Sequence, residues 1–285
     1  MNQIIKNDFL TVAVDPLGAQ LASIKDQAGT EHLWQGDPAY WADRAPVLFP
    51  IVGGLIKDQY ELDGATYTLP KHGFAKKMVF EVTDKSADSV SMAIKDDANT
   101  RTIYPFAFCF TVKFQLLGKQ LAITYTIENK SATTQYASFG AHEGFNCPEG
   151  PEAYELRFEQ EEKLATCGVD GNLLNNELTP VLEKGAVLPL KNSYFEIDAL
   201  IFTTIRSQAV TLAKRGGGRA VRVDFPGVPY LAIWTRPSAP FVCIEPWCGL
   251  PDETVSSGKI AEKRGIMAVP AGETLHRTHT ITFEG

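Results

Sequence analysis

Apolar and polar residues alternate along most of the chain, and short turn clusters interrupt the alternation at close intervals. Period-two alternation puts every second side chain on one face, the pattern of a strand half-buried against a core. It runs from Phe9 to Val14, breaks at Asp15-Pro16-Leu17-Gly18, resumes from Leu21 to Lys25 and turns at Asp26-Gln27-Ala28-Gly29. The sharpest hairpin spans Gln59 to Leu69, with Asp63-Gly64 as a two-residue turn of the kind that needs φ > 0. Met78 to Thr83 and Ser89 to Ile94 form a second pair, and Phe106 to Leu116 and Gln120 to Asn129 a third. Later strands are expected at Tyr136 to Phe139, Tyr154 to Phe158, Leu200 to Thr204, Ala209 to Ala213, Ala220 to Phe225, Tyr230 to Thr235, Phe241 to Ile244 and Thr274 to Phe283.

Helical periodicity is nearly absent. Pro38 to Trp41 and Asp97 to Thr102 each have room for a turn or two, with Asp97 as N-cap and Pro105 ending the second segment. Many short strands at this spacing predict an all-β sandwich or barrel. Gln160 to Ser193 reads as the longest irregular stretch. No linker, repeat or low-complexity run divides the 285 residues, so a single domain over 1–285 is expected.

Composition narrows the function. A formal net charge of −7 gives no basic face for nucleic acid. No apolar run reaches the roughly 18 residues of a membrane span, and the first residues lack a signal-peptide core. Five cysteines at 109, 147, 167, 243 and 248 form no Cys-x-x-Cys pair, which argues against a zinc or redox site. A cytoplasmic protein with reduced thiols and no metal is the expectation. Nothing in the sequence separates a monomer from a homodimer.

Three short segments carry the candidate chemistry. His142 follows a strand, lies between Gly140 and Gly144 and leads into turn residues, which puts an imidazole at the mouth of a β-structure. His72 sits in Lys71-His72-Gly73-Phe74. Glu245 ends the apolar run Phe241-Val-Cys-Ile-Glu, where desolvation would raise its pKa toward the range useful for general acid–base work. Plainer readings stay open for each: a solvated loop histidine, or a glutamate that alternation turns outward or an arginine neutralises. Asp198 precedes another apolar strand, as a turn residue or a hydroxyl acceptor. His276 and His279 fall on opposite faces of one strand and read as structural; His32 has no evident partner. Two histidines and a carboxylate can also ligate a metal, though the wide spacing lacks the usual His-x-His pair. A glycosidase would need a second well-placed carboxylate.

The chain resembles the aldose 1-epimerases, galactose mutarotase-like proteins, and within them the LacX-like branch. The resemblance rests on Ala45 to Gly53, His72-Gly-Phe74, Tyr104 to Phe108, Gly140 to Asn146, Phe195 to Phe202, Tyr230 to Thr235 and Cys243 to Asp252. It implies a galactose mutarotase-like β-supersandwich of two large antiparallel sheets with few short helices. It also implies a small-molecule sugar as ligand and no cofactor. Carried over by position, Glu245 would be the base that takes the anomeric proton, and His142 the acid that protonates the ring oxygen. His72 would hold the sugar through a hydrogen bond, Asp198 would bind hydroxyls, and Phe74, Phe145 or Trp247 would stack on the sugar. Two positions depart from the family: Gly54 stands where an arginine commonly reaches the sugar, leaving Arg44 or Lys57 to compensate, and Glu143 stands where proline is usual. A sugar-binding module without turnover is the alternative that Gly54 keeps open, and a hexose 6-phosphate epimerase is a third, which needs a cationic cluster such as Arg44, Lys71 and Lys76 converging in space.

Overall fold

The alternation becomes antiparallel sheet almost throughout the computed structural model, which describes residues 1–284. Nine strands form the larger sheet, in the order Leu173–Pro189, Tyr154–Asp170, Ala209–Lys214, Ala220–Asp224, Thr274–Glu284, Gln120–Asn129, Phe108–Leu117, Ser89–Lys95 and Glu81–Lys85. The smaller one runs Phe139–Gly140, Phe241–Cys248, Tyr230–Trp234 and Leu200–Phe202, with Glu143–Asn146 also pairing to Phe241–Cys248. A separate three-stranded sheet at the N-terminus joins Gln3–Lys6, Leu10–Asp15 and Gln20–Asp26. The sandwich is therefore unequal, a broad sheet behind a narrow one.

An aromatic-rich core fills the space between the two sheets. Phe49 stacks on Phe110 at 4.1 Å between centroids, and Phe108, Tyr125, Phe139 and Ile244 belong to the same cluster. On Phe241–Cys248 the faces separate strictly. Val242, Ile244 and Cys248 enter this core, whereas Phe241, Cys243, Glu245 and Trp247 face the other way. That second face is the concave one.

Turn chemistry matches the sequence closely. Gln59–Leu62 pairs with Ala65–Thr68 across Asp63 (φ 50°) and Gly64 (φ 79°). The α-helix found among the described residues, Ala98–Ile103, begins in a reciprocal capping box: Thr100 N–H donates to Asp97 at 2.7 Å and Asp97 N–H to Thr100 at 2.8 Å. No helix among these residues is long and apolar enough to cross a membrane.

The segment Gln160 to Ser193 is a correction. It is mostly one long hairpin, Tyr154–Asp170 with Leu173–Pro189, whose register shifts repeatedly. Each bulge resets the side-chain period, and Leu173–Pro189 is largely exposed, so no alternation survives to mark it as a strand. Its tip docks beside the concave face: Leu174 N–H donates to Asp252 O at 2.8 Å, and Thr254 N–H to Leu174 O at 2.9 Å. Asp252 is itself held by Lys263 at 2.8 Å and by the N–H of Ile56 at 3.0 Å.

Candidate active site

A cavity of about 570 Å³ opens on the concave face, and His72, His142, Asp198, Glu245 and Trp247 all line it. Glu245 rises from the centre of the narrow sheet, flanked by strands on both sides, and is 1% exposed. Its Oε2, with Trp247 Nε1 and His142 Nδ1, is buried without a hydrogen-bond partner among the described residues. Unpaired buried polar atoms are rare, and three around one cavity fit a ligand that completes them. Burial, reinforced by the negative charges of Asp198 and Glu143, holds the Glu245 carboxyl well above the usual carboxylate range.

His142 Nε2 lies 3.4 Å from Glu245 Oε2. Trp41 stacks on its ring at 5.0 Å and 26°. Burial lowers the imidazole to about 3, with Lys76 and Lys71 contributing in the same direction. Burial thus works against the charged form of each group.

His72 is fixed by a reciprocal clamp. Its N–H donates to Gly53 O at 2.8 Å, and the Gly53 N–H donates back to His72 Nδ1 at 3.1 Å. The clamp holds the backbone in the left-handed region, φ 66°, a conformation that for a non-glycine residue marks a site held by its surroundings. Burial keeps the ring neutral, aided by the cations around it. Since Nδ1 accepts, the proton of the neutral ring must sit on Nε2. His72 is a neutral donor.

Asp198 stands just before Leu200–Phe202, with Oδ1 accepting from the N–H of Ala199 at 2.7 Å. Glycines near His142 serve packing more than ligand access: a Cβ on Gly140 would lie 2.7 Å from Trp247 Cδ1, and one on Gly144 3.1 Å from both Trp34 and Trp41.

Four expected residues lie elsewhere. Phe145 is fully buried in the core between the sheets, because alternation turns 143 and 145 away from the face that His142 occupies. Phe74 packs edge-on against Phe49 in the same core. Arg44 turns away to donate to Gln35 O at 3.2 Å, and Lys57 is exposed on the turn Ile56–Asp58, outside the cavity lining. Neither replaces an arginine at position 54. The space there is filled instead: a Cβ on Gly54 would lie 2.8 Å from the Cβ and 3.0 Å from the carbonyl oxygen of Asn172, at the tip of the long hairpin.

Glu143 also faces away. Its Oε1 is 3.2 Å from Nε2 of His279, a buried pair that joins the two sheets behind the site. His276 is exposed, as its opposite phase requires, and His32 pairs with Asp26 at 3.1 Å. The cavity gains Trp41, Trp234 and Asn172, which the sequence reading passed over, and Lys71 and Lys76 come to its rim without Arg44. Trp41 was legible only as part of a turn, and Trp234 only as a strand residue, because nothing local brings them to His142.

Comparison with known proteins agrees with this architecture. Two curated relatives, the plasmid and chromosomal LacX proteins of Lactococcus lactis subsp. lactis, are each 35% identical over 98% of both chains. A galactose mutarotase related enzyme from Lactobacillus acidophilus is 31% identical, covers 100% of this chain and 98% of its own, and superposes with a TM-score of 0.93. A galactose mutarotase-like protein from Lactobacillus casei ATCC 334 is 28% identical with full coverage of both chains and a TM-score of 0.94. The sequence model of the aldose 1-epimerases matches residues 2–280. Fold, coverage and matched span agree, and the chain belongs to the aldose 1-epimerase family.

Proposed function

We propose that this protein interconverts the α and β anomers of a neutral aldohexose such as galactose or glucose by acid–base ring opening. The observation that carries the reading is the His142–Glu245 pair, 3.4 Å apart in the cavity with Glu245 Oε2 unpartnered. With the sugar between them, the Glu245 carboxylate takes the proton from the anomeric hydroxyl while the His142 imidazolium gives its proton to the ring oxygen. The C1–O5 bond breaks and C1=O1 forms. Rotation about C1–C2 presents the other face of the aldehyde, and reclosure returns both protons.

The proton count is constant through this cycle. Ring opening moves one proton from histidine to glutamate by way of the sugar, leaving a neutral carboxyl and a neutral imidazole. Burial favours these neutral forms of both groups. The pocket's preference therefore lies with the open-chain stage, the harder one to reach from a closed pyranose. His72 donates from Nε2 to the ring oxygen or a neighbouring hydroxyl, Trp247 Nε1 supplies a second donor, and Asp198 accepts from hydroxyls.

Rim charge supports a neutral substrate. Lys71, Lys76 and Arg236 are offset by Asp43, Glu196 and Asp198, and Lys76 already lies 3.7 Å from Asp43. A phosphate-bearing sugar would gain little net attraction there.

The test is polarimetry of freshly dissolved α-galactose and α-glucose, with His142→Ala as control. Acceleration lost in the variant is the expected result. No acceleration on either sugar, but acceleration on a hexose 6-phosphate, would replace the neutral substrate. Sugar binding with no turnover on any of them would make the protein a binding module.

A further inference from the structure

The concave face holds a second kind of chemistry beside the acid–base pair. Cys243 and Glu245 are two residues apart on one strand and share a face, and His142 stands against them from the neighbouring segment. One donor atom from each of His142, Cys243 and Glu245 lies within 4.8 Å of the other two, and among the described residues this is the group of metal-ligand type that comes together so closely. Cys243 is fully buried beneath Trp41 and Trp234, while His142 and Glu245 open on the cavity. The carboxylate contributes an oxygen with no partner, at 1% exposure.

We propose that Cys243, His142 and Glu245 form a binding site for a thiophilic divalent cation, Zn²⁺ above all, and that the bound cation excludes the sugar. The donor set of thiolate, imidazole and carboxylate matches zinc and disfavours Mg²⁺ or Ca²⁺, which take oxygen ligands. Zinc–ligand bonds of roughly 2.0–2.3 Å in a tetrahedron bring the donors to about 3.3–3.6 Å from one another. His142 and Glu245 already stand at 3.4 Å. Cys243 completes the set, with all three donor atoms within 4.8 Å of one another. The fourth position faces the cavity and takes water.

Charge balances as well. Zn²⁺ displaces one proton from the thiol and one from the carboxyl, so a dication, two anions and a neutral imidazole sum to zero in a buried site. Both protons must leave for the cation to bind, so affinity rises with pH. Occupancy also ties up the lone pairs that ring opening needs, so the cation is an inhibitor, and the acid–base reading of the site is unchanged by it.

The experiment uses the full chain stripped with EDTA, and CoCl₂ and ZnCl₂ as probes. Co²⁺ is expected to give a thiolate charge-transfer band in the near ultraviolet that Cys243→Ser lacks and that saturating galactose removes. Zn²⁺ should raise the Tm of the wild-type protein saturably, with affinity weaker by on the order of tenfold or more in Cys243→Ser after loss of the soft ligand. It should also slow anomer equilibration competitively with sugar, reversibly by EDTA, and Mg²⁺ should not. Absence of the cobalt band from the wild-type protein overturns the proposal, as does equal zinc affinity in Cys243→Ser. The band and the Tm read binding without turnover, so an enzyme inactive on every sugar still tests the site. An active enzyme indifferent to zinc overturns the site and leaves the proposed function standing.

Discussion

Replacing Glu245 by glutamine separates catalysis from stability, because it should harm the first and help the second. Glutamine keeps the volume and removes the ionisable proton. Loss of one general acid–base group lowers rates by roughly 10²–10⁴, which at 1.36 kcal/mol per tenfold is about 3–5 kcal/mol of transition-state stabilisation. The stability effect follows from the raised carboxyl pKa. In the unfolded chain this carboxyl ionises near 4.5, whereas in the folded protein it stays protonated until a much higher pH. A raised folded value contributes stability that is complete below the unfolded pKa and is lost as pH rises through the folded one. Between the two values the loss is about 1.4 kcal/mol per pH unit. Glutamine has no such dependence. Other groups cancel when the two proteins are compared at each pH, so the Tm advantage of Glu245→Gln should grow as pH rises above the unfolded value of 4.5. Polarimetry gives the rate, and urea or thermal melts in a pH series give the stability. An unchanged rate would remove Glu245 from the reaction. A stability difference flat in pH, or falling with it, would refute the buried-proton argument.

Further outcomes follow from the surrounding geometry. His72→Asn should keep an acceptor for the Gly53 N–H and tolerate the left-handed backbone, yet lose the ring donor; KM should rise by roughly tenfold, one good hydrogen bond, with a smaller change in kcat. Gly54→Ala forces the hairpin tip outward from contacts of 2.8 and 3.0 Å at Asn172, and should destabilise by about 1–3 kcal/mol and weaken sugar binding, measured by melts and KM. His279→Ala strands a buried Glu143 and should lose about 3–5 kcal/mol in urea melts at neutral pH, far more than any exposed histidine such as His276.

The sequence exposed the site's polar centre better than its apolar walls. Glu245 was visible because a carboxylate in an apolar strand is chemically conspicuous, and the hairpin at Asp63-Gly64 because its turn allows few residues. Phe145 was misread for lack of a phase: the aromatic ring looked available until the pairing of Glu143–Asn146 with Phe241–Cys248 fixed which face it takes. Trp41 and Asn172 reach the cavity over long chain separations, from a turn and a bulged hairpin whose periods carry no address. The unusual glycine at 54 was legible as a difference, but its cause, a backbone carbonyl from over one hundred residues away, was not.

Adjacent positions 142 and 143 present their side chains to opposite faces, and each meets a complementary partner there: His142 with Glu245 in front, Glu143 with His279 behind. The same two residue types thus make a reactive couple on one surface and a sealed one on the other. A slip of one residue in this segment would carry the imidazole into the core and the carboxylate into the cavity, exchanging acid for base and leaving both without their partners. Fidelity of strand alignment during folding is therefore a catalytic requirement here, enforced by the back pair, which only the correct alignment can form.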